Sequence, residues 1–396
     1  MIAFRTWVLS AIESSGGKRG STPLTTSNTT TAFQRSLKSQ RSNFSPAFEV
    51  LEQAIADGAF PGASFAVTHR AQFVAMDGVG RFTYQPESPP VKPETIWDLA
   101  SVTKAVATTS AAMLFFQRSL LDLDLPLVEI ARNFDTGDPR RRQVTIRMLL
   151  THNSGLPAYE RLFKTAHRRE ELIKAAFTLP LVTDPGTRTE YSDIGFIILG
   201  VLLEQITGEP LDRFCRREIF DLLGMKQTTF NPPTEWRTQI PPTYDDREFR
   251  HGIVQGEVQD ENAWVMGGVA GHAGLFSSAG DLALFANCIL QGGAPILERH
   301  TVDLFCQRQL GSARALGWDT PTPPSQAGRY FSPNSIGHLG YAGSSLWIDR
   351  DRQLAVVLLT NRTWPDRSLQ KIKYVRPIFH DAIVRSLGID VPTDHS

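Results

Sequence analysis

Cysteine is scarce: Cys215, Cys288 and Cys306 are the only three in 396 residues. An odd, widely spaced set builds no disulfide framework. Two of them fall in apolar helical patterns and read as small buried hydrophobes. Charge imbalance is lacking too, with 41 basic residues against 41 acidic. That removes the electrostatic footprint of a nucleic-acid surface. Arg140-Arg141-Arg142 is the one basic block, and it reads as a solvated loop. Long apolar runs are absent. The best, Ile194 to Ile206, is too short to span a bilayer and contains Glu204 and Gln205. The mildly apolar start, Met1 to Glu13, is broken by Arg5 and offers no signal-peptide core. The expectation is a soluble protein, cytoplasmic by default, with no integral membrane segment.

Several catalytic signatures are missing as well. No Gly-x-Ser-x-Gly occurs, which argues against an α/β-hydrolase. No His-Glu-x-x-His occurs and the histidines lie far apart, so no zinc site is built on one helix. No Gly-x-Gly-x-x-Gly or P-loop follows a strand. No metal or cofactor is implied.

What is present orders itself along the chain. Residues 14 to about 42 are rich in Ser, Thr, Gly and Gln, and residues 1–43 read as a disordered lead-in. Phe48 to Ala56 has helical spacing and stops at Gly58. Gly62 to Thr68 and Phe73 to Gly80 read as a hairpin about the polar turn His69 to Gln72. Helices are expected at Thr145 to Leu150, Glu170 to Phe177, Asp193 to Ile206, Leu211 to Leu222 and Ala279 to Leu290. Strands return at Ser345 to Ile348 and Leu354 to Leu359, and a helix closes the chain through Tyr374 to Leu387. The economical fold is α+β: an antiparallel sheet from N- and C-terminal strands, flanked by helices, with an inserted, mainly helical subdomain. The expected layout is one catalytic domain over 44–390. Its sheet part covers about 44–115 and 311–390, and its insert about 116–310. The cleft between the two parts is the expected site.

Ser101-Val102-Thr103-Lys104 puts a hydroxyl and an amine almost one helical turn apart, at the head of the apolar run Ala105 to Phe116. A serine becomes a good nucleophile when a base takes its proton. A lysine can be that base once desolvation lowers its pKa. The same spacing recurs at Ser15/Lys18 in a polar stretch and at Ser368/Lys371 on a charged face, neither suited to a buried amine. A second element is Tyr191-Ser192-Asp193, before the helix from Ile194. Asp193 reads as a helix N-cap, and the Tyr191 phenol as a partner for Lys104. The similar Tyr244-Asp245-Asp246 reads as a turn. A third element is His338-Leu339-Gly340, followed by Tyr341. A glycine-bordered strand edge allows close backbone approach. The backbone N–H groups of Ser101 and Tyr341 are the candidate oxyanion hole. His272-Ala273-Gly274 is a rival, although a helix rather than a strand is expected after it.

Ser-x-x-Lys, Tyr-x-Asp and His-x-Gly, in this order, resemble the β-lactamase-related serine hydrolases. These include class C β-lactamases, penicillin-binding protein-like carboxypeptidases, D-aminopeptidases and esterases. The resemblance extends from about Phe44 to Leu387. It includes Trp97-Asp98-Leu99-Ala100, the phrase Leu149 to Pro157, the stretch Asp260 to Phe276, and Tyr341 to Asp349. It implies that Ser101 is the acylated nucleophile, that Lys104 and Tyr191 are the acid/base pair, and that Asp193, His338 and Gly340 border the substrate. Two positions depart from the β-lactamase pattern. Asp193 replaces Asn, and would hold a nearby Lys104 charged. His338 replaces Lys, which removes a fixed cation for a substrate carboxylate. The expectation is a carboxylesterase acting on small acyl esters. The alternatives are a D-alanyl-D-alanine carboxypeptidase, a D-aminopeptidase or a weak β-lactamase. Acyl transfer and a non-catalytic scaffold are the remaining readings. The partner is a small ester or peptide-like molecule; oligomeric state is open. Carboxylate recognition would require a cation, for which Arg314, Arg329 and Arg362 are candidates. His152 is expected to organise a loop, and Trp264 and Trp318 to lie near the cleft.

Overall fold

The fold is described from a computed structural model, and the structure describes residues 40–389. Most of the expected lead-in therefore lies outside the described residues. Its last four residues, Gln40–Asn43, form a helical turn that feeds the helix α1, Ser45–Ala56.

A seven-stranded antiparallel sheet forms the centre. Its strands are β1 (Gly62–His69), β2 (Gln72–Gly80), β3 (Arg314–Ala315), β4 (Trp318–Asp319), β5 (Ile336–Leu339), β6 (Ser345–Asp349) and β7 (Leu354–Thr360). Their spatial order is β2-β1-β7-β6-β5-β4-β3. N- and C-terminal strands meet at the pair β1–β7, in register from Ala63↔Thr360 to His69↔Leu354. The β1–β2 turn is Arg70-Ala71, with φ of 50° and 63°, the left-handed pair that a two-residue hairpin requires.

Alternation explains why both faces of this sheet are covered. Along β7, Leu354, Val356 and Leu358 enter one core cluster, while Ala355, Val357 and Leu359 enter the other. β1 divides in the same way, with Phe65 and Val67 opposite Ala66. This is the period of two that a pleated strand imposes. On one face lie α1 and the closing helix α5 (Ile372–Ser386), joined through Phe48, Phe65 and Phe379. Their ring centroids stand 5.3 and 5.5 Å apart in edge-on pairs. The helix α4, Ala279–Leu290, packs on the other face against β1 and β7. By sequence it falls within the span expected for the insert, yet it packs on the sheet.

Two central helices carry the site. The helix α2 comprises a wide π-helical stretch, Lys104–Thr109, running into Ser110–Gln117. The helix α3 is Asp193–Thr207, and Ile194 to Leu203 are buried throughout. Among the described residues no single helix is long and apolar enough to cross a membrane.

Three local expectations need correction. A strand, Leu275–Ser277, follows His272-Ala273-Gly274 and pairs with Trp97–Asp98. Tyr244–Asp246 is a strand paired with Gly252–Val254, not a turn. Ser192, not Asp193, caps α3: its Oγ accepts from Gly195 N–H at 3.0 Å.

Candidate active site

Ser101 sits where the strand Trp97–Asp98 turns into α2. The preceding residue, Ala100, is forced to φ 47°, a conformation that costs an L-residue about 1–2 kcal/mol. Asp98 holds it there, accepting from Ala100 N–H and from Gln259 N–H, both at 2.7 Å. Burial, the dominant influence, raises Asp98 to about 6.

Lys104 is fully buried. Its Nζ donates to Ser101 Oγ at 3.1 Å, to Asp193 Oδ1 at 2.6 Å and to the His272 carbonyl at 3.0 Å. An ammonium carries three N–H donors, and all three are used. Burial alone lowers the Lys104 pKa, but Asp193, followed by Tyr191, more than offsets it, so the net direction is upward. Asp193 stands within hydrogen-bond distance of this lysine, where its charge favours the ammonium. Because Ser192 takes the cap, the Asp193 side chain is free to do so.

The His272 carbonyl reaches Lys104 because two glycines let its loop lie on α3. A Cβ on Gly271 would come within 2.1 Å of Phe196 O and 2.9 Å of Gly200. Thr108 Oγ1 donates to Gly271 O at 2.6 Å and fastens the loop to α2. The His272 ring is fixed in turn by Asp260, whose Oδ1 lies 2.8 Å from Nε2.

Tyr191 lies beside this group, with its ring centroid 5.0 Å from Lys104 Nζ. Its buried hydroxyl makes no hydrogen bond of normal geometry, but Lys104 and Ser101 stand near enough to act on it. Burial raises its pKa, and Lys104 and Ser101 oppose that rise without cancelling it. The ring is held by His152 at 4.6 Å and by the Arg314 guanidinium at 5.3 Å. His152 Nδ1 accepts from Ser192 N–H at 3.0 Å. His152 thus organises the loop, as its sequence context suggests.

His338 is buried on β5, with its ring 6.1 Å from that of Tyr191. Nδ1 lies 2.9 Å from Leu339 O, and Nε2 has no partner among the described residues. Burial, with the Lys104 charge beside it, pushes His338 down to about 3. This imidazole is neutral at physiological pH. Gly340 packs under Leu99, whose carbonyl would stand 2.4 Å from an added Cβ. Neither His338 nor Gly340 forms the wall of the cleft; Tyr341 does. His338 stands beside Tyr191, and Gly340 leads into Tyr341. The amides of Ser101 and Tyr341 donate to no group among the described residues.

The cleft has a volume of about 880 Å³. Ser101, Tyr191, Asp193 and Tyr341 line it together with Tyr159, Phe163, Phe249, Asp260 and His272. Sequence reasoning missed Asp260 and His272 as neighbours of Lys104, and Tyr159 and Phe163 as walls. The phrase Asp260 to Phe276 marked the first pair, but nothing in it announced a backbone acceptor. Trp318 is buried core stacked on Phe285, so its expected place near the cleft is not realised. The three candidate cations already have partners, although Arg314 and Arg362 stand against the rings of Tyr191 and Tyr341. Arg314 pairs with Asp319, Arg329 with Asp381, and Arg362 donates to the carbonyls of Tyr341, Arg367 and Leu369.

Comparison with known proteins bears on this geometry. The Beta-lactamase family model matches residues 48–377. The chain is 31% identical over 354 residues to the N-acetylmuramyl-L-alanine amidase of Bacillus subtilis, covering 79% of this chain and 80% of the relative. It is 33% identical over 303 residues to a putative D-alanyl-D-alanine carboxypeptidase of Salmonella typhi, covering 68% and 69%. Among solved structures, EstCE1, a hydrolase with promiscuous acyltransferase activity, superposes with a TM-score of 0.72 at 21% identity, over 87% of this chain and 99% of that one. The class C beta lactamase of Rhodobacter sphaeroides gives 0.67 at 22% identity, over 86% and 98%. At these identities the two structures speak for the fold alone.

Proposed function

The chain belongs to the beta-lactamase family of serine hydrolases, and from that premise we propose that it cleaves an ester or amide through an acyl-enzyme on Ser101. The observation that carries this reading is the three-point hold on Lys104, which keeps its Nζ 3.1 Å from Ser101 Oγ. The same geometry suits the neutral amine. Its two N–H groups donate to Asp193 and His272 O, and its lone pair receives the Ser101 proton. Ser101 Oγ then bonds to the substrate carbonyl carbon while the amides of Ser101 and Tyr341 take the oxyanion. One such donor is worth about 3 kcal/mol of barrier. The Tyr191 hydroxyl, buried beside Lys104 and Ser101, is suited to meet the departing heteroatom, to which the proton returns. Water repeats the sequence on the acyl-enzyme.

The neutral His338 and the engaged arginines support a substrate with no carboxylate beside the scissile bond. That favours an ester or an internal amide over a peptide C-terminus. A second reading, an amidase acting on a peptide-like cell-wall fragment, draws on the relative named N-acetylmuramyl-L-alanine amidase and on a cleft larger than a small ester needs. A panel of a neutral p-nitrophenyl ester, an N-acylated alanine amide, a D-Ala-D-Ala peptide and a cephalosporin tests this. The ester or the internal amide is expected to give the highest kcat/KM. Fastest turnover of the D-Ala-D-Ala peptide would overturn the argument from His338.

A further inference from the structure

Charge in the cleft is partnered unevenly. Of the lining acids, Asp193 is paired with Lys104, Asp260 with His272 and Glu261 with Arg367. Glu248 is the lining acid without an ion pair among the described residues. Of the lining cations, Arg161 and Lys164 are exposed and have no ion pair among the described residues. Among the carboxylate, lysine and arginine charges of the lining, those left without an ion pair among the described residues are thus two cations, Arg161 and Lys164, and one anion, Glu248.

Their segment is fixed at both ends. Asn262, fully buried, donates to Glu160 O at 2.8 Å and accepts from Phe163 N–H at 3.0 Å. Leu162 and Phe163 are buried, so Arg161 and Lys164 point outward from an anchored turn. At the other end Asp193 N–H donates to Ala158 O at 2.8 Å, and Ser192 Oγ to Pro157 O at 2.7 Å. Three residues extend to at most about 10 Å, so the Arg161 backbone stays within that distance of the residue bonded to Asp193. The hold continues toward the nucleophile. Asp260 caps the short helix Glu261–Val265, which carries Asn262, and it also grips His272, whose carbonyl binds Lys104. Two cations on a braced backbone, lining the same cleft as Ser101, are placed to meet an anion.

We propose that Arg161 and Lys164 form an anion-binding subsite of the Ser101 cleft, which takes a carboxylate or phosphate that the substrate carries some bonds away from its scissile carbonyl. This deepens the acyl-enzyme reading and rests on it. It also reconciles a neutral His338 with anionic substrates: the charge is read at the mouth of the cleft, not beside the reacting bond. Phe163 and Phe249, in edge-on contact at 4.9 Å, supply an apolar wall for the chain between the two.

Three p-nitrophenyl esters of one chain length test it: a neutral hexanoate, one ending in a carboxylate and one ending in a phosphate. The wild type is expected to favour one of the charged esters by about tenfold in kcat/KM, mainly through KM. Which one is favoured identifies the anion. In Arg161→Gln/Lys164→Gln the ratio of charged to neutral ester falls to about one, and Lys164→Glu lowers it further. A wild type that shows no preference, or a double variant that keeps it, overturns the subsite. Calorimetric titration of Ser101→Ala with adipate and with hexanoate reads the same subsite without turnover. Adipate binding that vanishes in the added double substitution supports the proposal, and absence of adipate binding overturns it. Failure of all three esters to acylate Ser101, with adipate still bound, rejects the acyl-enzyme reading alone.

Discussion

Lys104 is wholly buried, and every proton of its ammonium has an acceptor. As a base it must first be neutral, and Asp193 opposes that. Asp193→Asn removes the largest influence that raises the Lys104 pKa and leaves burial, which lowers it, opposed only by Tyr191. The limb on which kcat/KM rises with pH is therefore expected to move to lower pH in Asp193→Asn. A pH–rate profile of both proteins checks this, and an unmoved limb would mean that Asp193 does not govern the lysine. Much of this constellation was legible in residue types and spacing. Ser101 and Lys104 follow from a three-residue separation on an apolar helix, and the opposition between Asp193 and a neutral lysine follows from charge alone. Two things were not. The His272 carbonyl carries no side-chain signature. The choice of Ser192 over Asp193 as cap is decided by which of two competent residues Lys104 claims.

Elements differ in how strongly the sequence declares them. β1, β2, β6 and β7 are long enough to stand out as strand-like runs, and the pattern of α4 delimits it as Ala279–Leu290. Trp97–Asp98, Leu275–Ser277 and β3 and β4 have two or three residues each, too few for any period to appear. Such pieces exist because tertiary partners supply their hydrogen bonds. The crossing of α3 by the loop before His272 depends on a different detail, the absence of a Cβ. Gly271→Ala would place a methyl 2.1 Å from Phe196 O, and overpacking of this kind costs about 1–3 kcal/mol. The urea midpoint is expected to fall accordingly, and kcat to fall with it as the His272 carbonyl leaves Lys104. A Gly271→Ala protein with unchanged midpoint and kcat would show that this close approach is dispensable.

At the scale of the whole molecule, three histidines are buried in neutral form. Burial pushes His338 and His380 each to about 3, and His152 well below its ordinary value. Between about pH 3 and the ordinary histidine pKa of 6.5, the unfolded chain binds these protons and the native state does not. Stability therefore falls as pH drops through that window, by up to about 1.4 kcal/mol per pH unit for each histidine. Asp98, raised from 3.8 to about 6, opposes this over its own interval. Asp281 and Asp319, which burial also raises, act with Asp98, whereas His69, lowered by burial, acts with the three histidines, whose window opens above that of these carboxyls. Thermal scans from pH 7 to pH 4 are expected to show a steady decline in Tm, and a flat profile would contradict the neutral burial of these rings. The architecture that buries them, an N- and C-terminal sheet holding a helical layer above it, also brings Ser101, Lys104 and Tyr191 to one cleft. The most direct test of that arrangement is the intact mass of the protein after a fluorophosphonate, followed by peptide mapping. A single adduct on Ser101, lost together with ester turnover in Ser101→Ala, is the predicted result. Equal labelling and turnover in Ser101→Ala, or an adduct on another residue, would contradict it.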